Sequence, residues 1–511
     1  MSKAAKRYER DTNAFQSMRH LADQAFSRAA GAPLVTGNSV RLLIDAKENY
    51  PAWLDAIAGA QRYIHFECYI IHEDETGWMF ADALIAKARE GVRVRVIYDW
   101  LGGLGNTSRR FWKHLRAGGV DVRCYNAPRL DSPFGWLSRD HRKTIVVDGE
   151  IGFVTGLCIG RMWAGEPEKN IEPWRDTGIE VRGPSVANID QAFARVWDIT
   201  GDELPADEIA RFDGQATTGE VALRVVPSEP ASAVMLRVDQ LVATLARERL
   251  WLTDAYYAGT TLFVQALRAA AKDGVDVRLL VPSATDIPIV RPLSRAGYRP
   301  LLDAGVRIFE WNGTMLHAKT AVADGTWARV GSTNLNLASW YGNFELDVVV
   351  EDVPFAQEME ETYLRDLENS TEIVLDARRK VRAPKHSATP RSAMTSGGGT
   401  GGRAAAGAIR ITNAVGAAFT NRRVLEPVEG RLMVLVGLLL LSLAVIGWIF
   451  PRGLSYPLVF LLAWGALALI YRGCKLWAEQ FTPKSEETAA QDELPEASVG
   501  TAVNKQRVKQ P

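Results

Sequence analysis

The sequence predicts an α/β protein. Two duplicated α-β-α sandwich lobes meet in one pseudo-two-fold site, and a C-terminal transmembrane helical hairpin follows. Three observations predict this. Strand-like and helix-like segments alternate from about residue 38 to residue 376. The pattern of the first half recurs in the second. Two long uncharged apolar stretches lie near the C-terminus. Of the 511 residues 47% are hydrophobic and 23% charged, an ordinary globular composition that excludes a chain disordered or collagen-like throughout.

Residues 1–37 begin polar and charged, without the apolar core of a signal peptide. Phe15, Met18, Leu21, Ala22 and Phe26 fall at helical spacing and predict an amphipathic lead helix packed on the first lobe. In the first lobe, residues 38–205, Val40-Arg-Leu-Leu-Ile44 reads as a strand and Trp53 to Ala60 as a helix. Tyr63-Ile-His-Phe-Glu-Cys-Tyr-Ile-Ile71 is a strand rich in β formers. Met79 to Glu90 is a helix stopped by Gly91, and Val92-Arg-Val-Arg-Val-Ile-Tyr98 is the next strand.

The second lobe, residues 206–376, repeats these pieces. Gly219-Glu-Val-Ala-Leu-Arg-Val-Val226 resembles the first strand. Arg249 to Tyr257 matches Arg62 to Ile70, which sets Asp254 against Glu67 and Tyr256 against Tyr69. The two tyrosines read as core residues unless the site lies at those strand ends. Leu267 to Arg278 matches Leu84 to Arg95.

Residues 377–430 form a linker. Its basic run, Arg378, Arg379, Lys380, Arg382, Lys385 and Arg391, reads either as a solvated tether or as a contact with anionic headgroups. Residues 396–402 are almost all glycine. The hairpin, residues 431–472, comprises apolar stretches at 432–451 and 453–471 with only Arg452 between them. Each is long enough to span a bilayer, and a buried hairpin of a soluble core is the alternative. Arg403, Arg410, Arg422, Arg423 and Arg431 precede it, and Arg472, Lys475 and Lys484 follow. Positive flanks on both sides place them, and the two lobes, on the cytosolic face of the inner membrane. The tail, residues 473–511, is polar and expected to be disordered.

Charge and cysteine usage narrow the function. Sixty basic residues balance sixty acidic ones, which argues against a nucleic-acid partner. Cys68, Cys124, Cys158 and Cys474 are scattered, so neither a disulfide framework nor a structural metal site is expected.

The chemistry lies in a repeated motif. His141-Arg-Lys143-Thr-Ile-Val-Val-Asp148-Gly149 and His317-Ala-Lys319-Thr-Ala-Val-Ala-Asp324-Gly325 share His-x-Lys-x4-Asp-Gly at equivalent points of the duplicated unit. On a strand, residues two apart share a face, so each histidine projects with its lysine. Asp148 and Asp324 fit either a tight turn or a direct catalytic role. Two imidazoles and two ammonium groups converging on one site suit a phosphodiester. Lysines neutralise the non-bridging oxygens, one histidine attacks phosphorus, and the other moves the proton. No metal or cofactor is called for.

The duplicated motif resembles the phospholipase D superfamily over about residues 38–369. The resemblance implies phosphate binding by Ser332 and Asn334 of Gly331-Ser-Thr-Asn334. It also implies histidine orientation by Glu345 of Asn343-Phe-Glu345 and by Asp176 of Trp174-Arg-Asp176. Residues 37–71, with Trp174-Arg-Asp-Thr-Gly and Arg182-Gly-Pro184, resemble bacterial cardiolipin synthases in particular. Two departures stand out. Cys158 occupies the place of the family's asparagine in lobe one, and the hairpin is C-terminal where the family's is N-terminal or missing.

The resemblance implies a membrane-anchored phosphatidyltransferase working through a phosphohistidine. By family analogy His141 is the nucleophile and His317 the general acid and base. A phospholipase D that uses water and a nuclease of the same superfamily are the rival readings. The expected partners are phospholipids and the membrane, and one chain suffices for the site. Phe134, Trp136 and Leu137, and likewise Trp340 and Tyr341, read either as loops packed on their own lobes or as a lipid-facing rim.

Overall fold

Strands whose side chains are all buried need cover on both faces, and the sheet of lobe one shows why Tyr63-Ile-His-Phe-Glu-Cys68 is such a strand. In a computed structural model of the chain, residues 21–128, 137–169, 171–287, 290–375, 381–382 and 448–479 are described, with positions 438, 441, 442 and 445. Lobe one contains β1 (Val35–Ile44), β2 (Tyr63–Cys68), β3 (Arg93–Asp99), β4 (Asp121–Tyr125), the short β5 (Arg139–Asp140), β6 (Lys143–Val147), β7 (Ile151–Thr155) and β8 (Thr177–Arg182). Its main sheet runs β1-β8-β7-β6-β2-β3-β4, antiparallel as far as β2 and parallel after it.

Lobe two repeats this order. It has β9 (Val221–Ser228), β10 (Arg249–Thr253), β11 (Asp276–Pro282), β12 (Arg307–Trp311), β13 (Thr320–Ala323), β14 (Trp327–Gly331), β15 (Asn343–Glu351) and β16 (Ser370–Leu375). Its sheet runs β9-β15-β14-β13-β10-β11-β12-β16 with the same change of sense at β10. Two duplicated α/β lobes are therefore present.

Helices Asp45–Gly59, Glu75–Arg89 and Arg109–Ala117 cover one face of lobe one, where Trp53, Phe80, Leu84 and Phe111 meet Ile64, Phe66 and Val96. Helices Val234–Leu245 and Thr261–Lys272 do the same in lobe two. A third apolar cluster joins the lobes. It combines Val186 and Ile189 with Val146 and Val181 of lobe one, and Leu346 and Val348 with Phe355 and Met359 of lobe two. Burying such side chains stabilises by roughly 1.5–3 kcal/mol each, so the lobes are locked by their cores. Fully buried Arg142 adds a polar tie, donating to the carbonyls of Glu345, Ala192 and Ser228 at 3.1, 2.7 and 3.3 Å.

The lead helix departs from expectation. The described part of the lead helix, residues 21–30, docks on lobe two and not lobe one, because Phe26 and Ala29 pack into its core. There Asp23 and Ser27 also receive the buried guanidinium of Arg224 on β9. Phe15 and Met18 lie outside the described residues. The segment after the first lobe stays on that lobe as far as Ala210: Glu208 takes Arg95 in a two-point pair at 2.6 and 2.7 Å, and Ala210 N–H donates to Asp190. Of the expected hairpin, the described residues show the helix Pro451–Glu479, in a second compact unit, and helical positions before Phe450. Only part of its side chains is described, most of the first apolar stretch lies outside the described residues, and among the described residues no helix is long and apolar enough to cross a membrane.

Candidate active site

The hairpin turns that end β6 and β13 show what the motif's aspartates do. Asp148 and Gly149 adopt φ 55° and 71°, and Asp324 and Gly325 adopt 51° and 62°, all in the left-handed region. Asp tolerates that region better than most residues because its side chain bonds locally. Asp148 accepts the backbone N–H groups of Gln61, Arg62 and Tyr63 at 2.8, 2.7 and 2.9 Å. Asp324 accepts those of Arg247, Glu248 and Arg249, each at 2.9 Å. Both carboxylates thus pin the start of the neighbouring strand, at the end of the motif strand far from its histidine. The structure gives Asp148 and Asp324 this turn-anchoring role.

The opposite strand ends converge. His141 precedes β6 and is not in the strand. Its backbone N–H donates to the Phe344 carbonyl at 2.9 Å, while that of His317 donates to the Arg175 carbonyl at 2.7 Å. Each histidine is therefore held by the other lobe, at the residue before an acid. The acids complete the exchange. His141 Nδ1 lies 3.0 and 2.9 Å from the carboxylate oxygens of Glu345, and His317 Nδ1 lies 2.6 Å from Asp176 Oδ2. Register makes the acids equivalent: Thr155 pairs with Gly178 and Gly331 with Asp347, so Asp176 and Glu345 each stand two residues earlier. With Nδ1–H on a carboxylate, Nε2 is the free nitrogen of each ring.

The ammonium groups of Lys143 and Lys319 each donate to the carbonyl of their own motif histidine. All four motif side chains are buried, and their charges act on one another. Burial pushes His317 down to about 3, and Lys319 and Lys143 push the same way against Asp176. Burial also lowers His141, with Lys143 and Lys319 opposing the pull of Glu345. Burial brings Lys319 down to about 8, with Lys143 repelling it and Asp176 and Asp254 holding it up. Burial favours neutral Glu345 and Asp176, but the imidazoles and lysines outweigh it and leave both below the usual carboxylate range. The site thus sets each imidazole on a carboxylate of the other lobe, with a lysine beside each.

The two halves differ in detail. Ser332 gives its hydroxyl proton to Glu345 at 2.6 Å and takes the Leu346 N–H at 3.0 Å. Its hydroxyl thus serves the carboxylate that holds His141. The equivalent residue of lobe one is Gly156, where a Cβ would stand 2.2 Å from Asp176 Oδ1. There Trp163 Nε1 and Thr177 N–H serve Asp176 instead, at 3.2 and 2.8 Å. Asn334 is buried with Oδ1 unpartnered, and Cys158 stands opposite it as a buried thiol beside Cys68. Among the described residues no group of side chains could hold a metal ion.

Sequence reasoning did not assign the aromatic surround. His317 is ringed by Trp163, Trp174 and Tyr256 at centroid distances of 5.6, 5.6 and 5.7 Å. Tyr69 stands 4.9 Å from His141. The site does lie at the strand ends carrying Tyr69 and Tyr256, so neither is a plain core residue. Trp340 is buried and donates to Asp239 at 3.2 Å, whereas Tyr341 and Leu137 are exposed. Phe134 and Trp136 lie outside the described residues.

Comparison with known proteins agrees with this geometry. Residues 53–197 and 242–367, together more than half of the chain, match the family described as cardiolipin synthase, PLD-like domain. Cardiolipin synthase A of Pseudomonas aeruginosa is 34% identical over 365 residues, 70% of this chain and 73% of that protein. Cardiolipin synthase of Alkalihalophilus pseudofirmus is 32% identical over 345 residues, 67% of this chain and 68% of that protein. The phosphatidylserine synthase structure from Haemophilus influenzae Rd KW20 shares the fold, with TM-score 0.53 and 14% identity over 68% of this chain and 91% of that one. The chain belongs to the cardiolipin synthase, PLD-like domain family, and is a phosphatidyltransferase-type enzyme of the phospholipase D superfamily.

Proposed function

We propose that the protein is a membrane-anchored phosphatidyltransferase that makes cardiolipin from two molecules of phosphatidylglycerol. The observation that carries the reading is the exchange of acids between lobes: His141 on Glu345 and His317 on Asp176, with a lysine beside each. The relatives' printed names supply the substrate class.

Nε2 of His141 attacks phosphorus of the donor, and the P–O bond to its headgroup glycerol breaks. His317 gives its proton to the departing oxygen. Binding the anionic phosphodiester favours the protonated imidazole that this step needs. The hydroxyl of the acceptor phosphatidylglycerol then attacks phosphorus, His317 takes its proton, and the P–N bond to His141 breaks. Lys143 and Lys319 balance the charge that builds on the non-bridging oxygens. Asn334 offers a further amide to them.

We assign residues 431–472 to a membrane hairpin with both flanks in the cytosol, on the strength of the two uncharged stretches and their basic borders. The two lobes, with their boundary within residues 201–219, then work at the cytosolic face of the inner membrane as a monomer.

The test is product analysis with the purified full-length chain in phosphatidylglycerol vesicles. Cardiolipin and glycerol in equal amounts are expected. Phosphatidic acid in place of cardiolipin would mean that water is the acceptor, and nucleic-acid cleavage without lipid products would overturn the reading.

A further inference from the structure

Each motif histidine meets the edge of a tyrosine that follows the equivalent strand of its own lobe. Tyr69 comes directly after β2 and lies 4.9 Å from the His141 ring at 66°. Tyr256 comes shortly after β10 and lies 5.7 Å from the His317 ring at 81°. The same two rings face the lysines. Lys143 Nζ stands 5.0 Å from the Tyr69 centroid, and Lys319 Nζ stands 5.8 Å from that of Tyr256.

One ring touching both motif residues, twice over, is more than core packing requires. Tyr257, the next residue along, is fully buried in the core of lobe two. The ring positions are built in from behind. Asn336 donates to the Tyr256 carbonyl at 2.9 Å, and the Tyr256 hydroxyl donates to Asp286 at 2.9 Å. A Cβ on Gly102 would stand 1.8 Å from the Tyr69 carbonyl, so the short helix Trp100–Gly103 closes directly over that residue.

A lysine at a phosphate site must stay charged yet keep its N–H donors for the ligand. A paired carboxylate secures the charge but occupies donors and repels the anion. An aromatic face attracts the cation and takes no hydrogen bond from it. Among the described residues the hydrogen bond of each ammonium goes to its own histidine's carbonyl, which leaves donors for a phosphate.

We propose that Tyr69 and Tyr256 are positioning residues, each using its ring face to hold its lobe's lysine with N–H donors left for a phosphate and its ring contact to fix the plane of its lobe's histidine. The ionisable groups acting on Lys319 besides the ring are Asp176, Asp254, Lys143, Cys158 and His317. None of them changes when Tyr256 is replaced.

The proposal rests on the phosphate-binding reading of the site, so its test uses a probe that needs no lipid. Tungstate is a tetrahedral dianion whose charge is constant above neutral pH. Its binding to the full-length chain, followed by calorimetry across pH, reports the charged lysines. In the wild type affinity falls as Lys319, at about 8, deprotonates. Tyr256→Leu is expected to move that basic limb down by about one pH unit, and Tyr69→Leu to weaken tungstate binding about fivefold. Tyr256→Phe and Tyr69→Phe, which keep the rings, are expected to retain the wild-type limb. A limb that stays in place in Tyr256→Leu, an affinity unchanged in Tyr69→Leu, phenylalanine variants that change as far as leucine, or a wild type with no tungstate affinity would each overturn the proposal. A leucine variant that fails to fold leaves the phenylalanine pair and the wild type to decide it.

Discussion

Asp176→Asn removes one negative charge from the site at almost constant volume. In the wild type Asp176 Oδ2 takes His317 Nδ1–H at 2.6 Å and Trp163 Nε1–H at 3.2 Å, and Oδ1 takes the Thr177 N–H at 2.8 Å. An asparagine has one acceptor oxygen for these three donors. If that oxygen stays with Thr177, its NH2 faces both His317 and Trp163 and drives the ring proton onto Nε2. In every arrangement the imidazolium formed in the reaction loses its counter-charge. With charge centres about 4 Å apart and an effective dielectric constant near 20, that interaction is about 4 kcal/mol. At about 1.4 kcal/mol per decade the expected loss in kcat is roughly a thousandfold. The assay is the initial rate of cardiolipin formation in phosphatidylglycerol vesicles, with thermal unfolding as the control for the fold. A loss of less than about tenfold in a folded variant would refute the role given to Asp176.

Other expectations follow from neighbouring features. Asp148→Ala and Asp324→Ala each free three backbone N–H groups and leave an alanine at positive φ. Each is expected to cost about 2 kcal/mol in urea unfolding while leaving kcat of the folded enzyme within about threefold. Arg142→Met strands three buried carbonyls at the junction of the lobes and is expected to cost about 3–5 kcal/mol in the same measurement. Lys319 sits at about 8 in the fold against 10.5 for a free lysine. Between those values the unfolded chain binds a proton that the native chain does not. Stability should therefore rise with pH across this window while phosphate affinity falls, and melting temperature and tungstate titration against pH check the two slopes.

The sequence made the four motif residues legible because the same His-x-Lys spacing recurs at equivalent points of the duplicated unit. It also showed the duplication, whose strand orders agree lobe by lobe. The acids were reached only through resemblance. Asp176 follows His141 by a different interval than Glu345 follows His317, and neither acid serves the histidine of its own lobe. That exchange is a property of how the lobes dock, which no local pattern encodes. The lead helix went to the wrong lobe for the same reason: its partner, Arg224, is some two hundred residues away. Tyr69 and Tyr256 read as core because strand propensity says that a residue is buried, not which end of the strand carries the chemistry. Asp148 and Asp324 belong to the motif by spacing, yet the physics that places them is turn formation, which the Asp-Gly pairs already offered.

The most direct test of the central claim is to look for the covalent intermediate. The full-length chain turning over phosphatidylglycerol is quenched in denaturant at alkaline pH, digested and examined by mass spectrometry. A phosphatidyl adduct on the peptide carrying His141, absent from His141→Ala, is the expected result. Turnover with no adduct on either His141 or His317 would contradict transfer through a histidine.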